Sequence, residues 1–82
     1  MSRGRKLLER MRENPRDWRI EDVETVCAAF DVACMRPRRG SHYKVTHDSQ
    51  EQMLTIPAHR PVKVFYIEKL VAFIDAVNGS PP

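Results

Sequence analysis

Three apolar stripes at helical spacing, with a period-two block before the last of them, organise this chain. Leu7, Leu8 and Met11 recur at intervals of three and four with charges on the other sides, which predicts a first helix over residues 3–13. Asn14-Pro15 closes it, because a residue before proline avoids the helical region. Ile20, Val23, Val26, Cys27 and Phe30 predict a second helix over about 20–30. Glu21, Asp22 and Glu24 sit in its first turn, where the helix dipole favours acids, although Arg19 is a poor cap. Ile67, Leu70, Val71, Ile74 and Val77 predict a last helix over about 66–77. Gly79 suits the C′ position after it, and residues 78–82 are expected to fray.

Between the second and third stripes the pattern alternates. Val32 to Arg36 reads as extended, with Pro37 limiting its pairing. Tyr43 to His47 is an alternating strand, Asp48-Ser49-Gln50-Glu51 a turn, and Met53 to Ile56 a strand with Leu54 and Ile56 on one face. Residues 57–63 form a loop punctuated by Pro57 and Pro61. The order is α-α-β-β-β-α, an α+β domain of 82 residues whose three-stranded antiparallel sheet buries one face against helices. Trp18, in the linker 16–19, reads better as a core anchor beside the second helix than as a base-stacking platform.

Charge changes this picture more than composition does. The chain is net +3, but residues 1–19 hold seven bases and three acids, and residues 20–35 hold four acids and no base. Residues 36–63 hold six bases and two acids, and residues 64–82 one base and two acids. Two segments are therefore strongly basic, which suits a polyanion or an acidic protein, or equally a set of solvated faces. No apolar run approaches the roughly 20 residues of a membrane helix, and only Leu7-Leu8 follows the charged start, so neither a membrane span nor a signal peptide is expected. Cys27 and Cys34 form no CxxC pair and complete no zinc spacing, so buried free thiols in a reducing cytosol are expected, with a disulfide between them the alternative.

The candidate chemistry lies where the second basic segment meets the alternating strand. Arg36-Pro37-Arg38-Arg39 is followed by Gly40-Ser41-His42 and then by Tyr43-Lys44-Val45-Thr46-His47. Gly40 suits a corner, because glycine takes positive φ without a Cβ clash. If Tyr43 and Val45 face the helices, His42 and Lys44 face outwards and His47 inwards. An imidazole titrates near pH 6.5 and can accept and return a proton at neutral pH. Among cations its natural substrate is a phosphodiester. It can take the proton of an RNA 2′-hydroxyl while Arg39, Lys44 or Lys63 stabilises the charge on the phosphate. No metal or other cofactor is needed for that chemistry. His59, with Arg60 and Lys63 nearby, is a candidate auxiliary group.

The combination Arg39-Gly40-Ser41-His42-Tyr43-Lys44, then Leu54-Thr55-Ile56-Pro57-Ala58-His59, then Lys63 and an amphipathic helix, resembles the HicA toxin family over roughly residues 20–77. The resemblance implies a fold like the double-stranded RNA-binding domain and a cytoplasmic mRNA-cleaving endoribonuclease of a type II toxin-antitoxin system. It also implies neutralisation by a HicB-like antitoxin protein. The family's catalytic histidine falls on His42, Gly40 and Ser41 match its motif, and Lys63 matches a basic position before the last helix. Arg38, Arg39, Gly40, Ser41, Lys44 and Lys63 are the RNA-binding candidates. The chain departs from the family's short form in the helix over 3–13 and in the loop Arg60 to Tyr66.

Two other classes compete with the nuclease. A non-catalytic RNA-binding module would hold phosphates on the basic face and read A-form shape. A protein-interaction adaptor would offer apolar and basic surfaces to an acidic partner. The sequence leaves a homo-oligomer open.

Overall fold

The computed structural model describes residues 2–79, so of the tail 78–82 expected to fray, residues 80–82 lie outside the described residues, while the N–H groups of Asn78 and Gly79 donate to the Ile74 and Ala76 carbonyls. Six elements follow in the expected order: α1 (Arg3–Glu13), α2 (Ile20–Ala29), β1 (Ala33–Met35), β2 (His42–Thr46), β3 (Leu54–Pro57) and α3 (Val64–Val77).

Each helix starts and stops for an identifiable reason. The Ser2 hydroxyl accepts the Arg5 N–H at 3.3 Å and begins α1. The Asn14 N–H still donates to the Arg10 carbonyl, and Pro15 follows. At the start of α2 the Asp22 carboxylate accepts the Arg19 N–H at 3.0 Å, which is half of a capping box and offsets the poor cap. The end of α2 carries no glycine, yet Asp31 takes φ 56. The Val32 N–H returns to the Cys27 carbonyl at 2.9 Å and the Asp31 N–H to that of Ala28 at 3.4 Å, a Schellman closure on an aspartate. Gly79 does take a left-handed φ of 71 after α3. That helix begins two residues earlier than the expected start at about residue 66, because Val64 and Phe65 are exposed and carry no pattern.

The sheet is an antiparallel meander in the order β1-β2-β3. Cys34 pairs with Val45, and Tyr43 with Ile56, on the face turned to the helices. Met35 pairs with Lys44, and Lys44 with Thr55, on the open face. The strand boundaries shift by one residue from the sequence expectation. β2 starts at His42 and leaves His47 in the turn, and β3 runs to Pro57. His47 leaves the ladder because its Nδ1 pairs with the Ser49 Oγ at 2.8 Å and its carbonyl accepts the Gln50 N–H.

The core is continuous. Leu7, Leu8 and Met11 of α1 join Val23, Val26 and Cys27 of α2, with Val45, Ile56 and the α3 stripe beneath them. Trp18 is half-buried against this core and its Nε1 donates to the Asn14 carbonyl at 2.7 Å. Trp18 and Val62 form an isolated bridge, with the Val62 N–H on the Trp18 carbonyl at 2.8 Å, which staples the loop before α3 to the linker before α2. Both cysteines are free, and Cys34 is half-buried rather than buried. No helix among the described residues is long and apolar enough to cross a membrane.

Candidate functional site

β2 and the basic segment before it build the site. Gly40 takes φ 79, a left-handed conformation that turns the chain from the basic run into the strand. Ser41 is half-buried, and its carbonyl accepts the Ala58 N–H at 2.7 Å, continuing the β2–β3 ladder by one bond. His42 opens β2 opposite Pro57, so both chain ends of this corner are tied down. The period-two pattern then places His42 and Lys44 on the open face, and both are exposed.

A cavity of about 470 Å³ lies on this face. His42, Lys44, Arg38 and Arg39 line it, with Met35, Arg36 and Pro37 completing its wall. Arg36 is already engaged, since its Nε meets the Glu24 carboxylate at 2.8 Å. Arg38, Arg39 and Lys44 form no ion pair with another described residue, so their charge is available to a ligand. The His42 imidazole makes no side-chain hydrogen bond within the described residues, and the residue is exposed.

The structure separates two residues that the sequence grouped with His42. His59 does not line the His42 cavity. It lies where two other cavities meet, one of about 350 Å³ with Tyr43, Glu24 and Arg60, the other of about 490 Å³ with Arg16, Arg60 and Lys63. Lys63 lines only the second of these, and its backbone caps α3. The reason is the ladder. Beyond Pro57 the chain turns away at the Ala58 bond, and the bridge from Val62 to Trp18 draws residues 59–63 towards the helices. Lys63 and His59 therefore line other cavities than the one that Arg39 and Lys44 line.

The sequence reasoning missed Met35 and Arg36 as wall residues. Arg36 belonged to the visible basic run. Met35, 49% exposed, was legible only once its pairing with Lys44 put it on the open face. Among the described residues no group of three or more His, Cys, Asp or Glu side chains is placed to hold a metal ion.

The arrangement offers one imidazole, three free cations and an apolar rim around an open groove. That set can bind a phosphate and move a proton beside it. No protein-family model matches the chain, and no curated protein or solved structure matches it either.

Proposed function

We propose that this protein is an endoribonuclease acting on mRNA, the toxin of a type II toxin-antitoxin pair as in the HicA family, with His42 as its proton-transfer residue. One observation carries the reading: His42 stands exposed on the open sheet face in a cavity shared with Arg38, Arg39 and Lys44. A ring nitrogen of His42 takes the proton of the ribose 2′-hydroxyl. The 2′-oxygen attacks the adjacent phosphorus, the bond to the 5′-oxygen breaks, and that oxygen receives a proton. Arg38, Arg39 and Lys44 hold the non-bridging oxygens, where charge builds in the transition state. The nucleophile is internal to the substrate, so the step requires proton transfer and charge stabilisation but no added group.

Incubation of single-stranded RNA with the protein in EDTA tests this. The expected products carry a 2′,3′-cyclic phosphate and a 5′-hydroxyl. Intact RNA after long incubation at micromolar protein would contradict it. A HicB-like antitoxin belongs to the same proposal, and an acidic surface on it would gain most by covering Arg38, Arg39 and Lys44.

A second reading, a non-catalytic RNA-binding module, is favoured by one observation. The His42 cavity contains a single imidazole and no carboxylate, so it lacks a paired acid and base. Salt-sensitive binding without cleavage would select it.

A further inference from the structure

A second cationic cluster lies outside the His42 cavity. Arg16 and Arg19 come from the linker between α1 and α2, and His59, Arg60 and Lys63 from the loop before α3. All five are exposed. Arg60 is common to three adjoining cavities, of about 350, 490 and 320 Å³, and the other four line one or two of them. None of the four Arg and Lys side chains forms an ion pair with another described residue. Three carboxylates lie among them: Asp17 lines two of the cavities, and Glu21 and Glu24 line the one of about 350 Å³, where Glu24 is taken by Arg36.

The cluster is held in place by the fold. Forty residues of sequence separate its two halves, and the Trp18–Val62 bridge brings them together. The Arg16 N–H donates to the Asn14 Oδ1 at 3.1 Å and the Arg19 N–H to Asp22 at 3.0 Å, so both linker cations spring from fixed backbone. Converging like charges repel, and an anion over them relieves that cost.

We propose that this cluster is a second phosphate-binding surface, which holds the backbone of a single-stranded RNA leaving the His42 cavity. The inference rests on the RNA reading of that cavity and extends it. The two surfaces adjoin at one corner of the sheet. Ser41 is bonded to Ala58, so His42 and His59 lie on the order of 10 Å apart along the backbone ladder. A strand crossing this corner passes from Arg38, Arg39 and Lys44 to Arg60, Lys63 and Arg16. The second cluster is mainly cationic, with half-buried Tyr43 the one aromatic side chain lining its cavities, so its grip is chiefly on phosphates.

The test uses labelled 2′-O-methyl RNA, which binds but cannot be cut because its internal nucleophile is blocked. Anisotropy is followed against salt for oligonucleotides of about four and about twelve nucleotides. For single strands the slope of log affinity against log salt is about −0.7 for each phosphate neutralised. The triple variant R16Q/R60Q/K63Q should flatten the slope of the long oligonucleotide by roughly 2 and leave the short one unchanged. The far-ultraviolet spectrum of the variant should match the parent's. An unchanged slope for the long oligonucleotide overturns the proposal. So does capture of a poly-glutamate peptide through these residues with no change in RNA binding, which would assign the surface to an acidic protein. Cleavage of unmodified RNA is scored separately: a parent that binds with the predicted slopes but never cuts removes the nuclease reading and leaves the second surface standing.

Discussion

Arg12 of α1 and Asp75 of α3 meet in a two-point ion pair, Nη1 to Oδ2 at 2.6 Å and Nη2 to Oδ1 at 2.8 Å. Its partners lie 63 residues apart, and it fastens the first helix to the last. The Arg12 guanidinium holds the Asp75 carboxyl below its ordinary value, through the hydrogen bonds first. A carboxyl with a lowered pKa in the folded state stabilises above the unfolded value near 4, and that contribution fades as pH falls through the folded value.

Because the Arg12 side chain is 42% exposed and screened, Asp75→Asn should cost only about 1 kcal/mol at pH 7. The gap between parent and variant should shrink in acid. Urea unfolding at neutral and at strongly acidic pH checks it, and a gap that widens in acid would contradict the pairing.

Gly4 lies in α1 where that helix presses on α2. A Cβ built there would stand 2.4 Å from the Ala29 Cβ and 2.7 Å from the Thr25 carbonyl oxygen. Alanine gains about 1 kcal/mol of helix propensity over glycine, but overpacking against backbone costs about 1–3 kcal/mol. Gly4→Ala should therefore lower the melting temperature by several degrees, and Ala29→Gly in the same chain should restore part of it. Calorimetry reads both. A rise in melting temperature for Gly4→Ala would show that α1 does not approach α2 this closely.

Gly40 makes the opposite case. Nothing lies within 4 Å of the position its Cβ would occupy, so space is no obstacle, but φ 79 is. Gly40→Ala should destabilise by about 1–2 kcal/mol, and Gly40→Asn by less, because asparagine visits this region. Equal stability of the three proteins would remove the left-handed corner before His42.

The sequence exposed the elements well, because their signals are local. Spacings of three and four set α1, α2 and α3, and alternation put His42 and Lys44 outside and Tyr43 and Val45 inside. It failed where a contact joins distant segments. Nothing near His59 or Lys63 announces that Val62 will bridge to Trp18 and carry both away from His42. The second cationic cluster depends on the same bridge. The close of α2 was hidden for another reason: its left-handed residue is Asp31, where glycine would have been the signal.

Cys27 and Cys34 differ in a way chemistry can read. Interaction between the two thiols, together with burial, pushes the Cys27 thiol up, while the same interaction draws the Cys34 thiol down. Cys27 is fully buried and Cys34 half-buried. Alkylation of the native protein should mark Cys34 first and Cys27 only after unfolding, since the thiolate is the nucleophile. Peptide mass spectrometry reads the order, and equal labelling of the two would contradict it.

The most direct test of the central claim compares the parent with His42→Ala on the same RNA in EDTA, with urea unfolding to show that both are folded. His42 is exposed, so its loss should leave stability within about 0.5 kcal/mol. Cleavage should fall by about 10²–10⁴-fold, the usual worth of a positioned proton-transfer group. A folded His42→Ala protein that cuts RNA as fast as the parent would contradict the account.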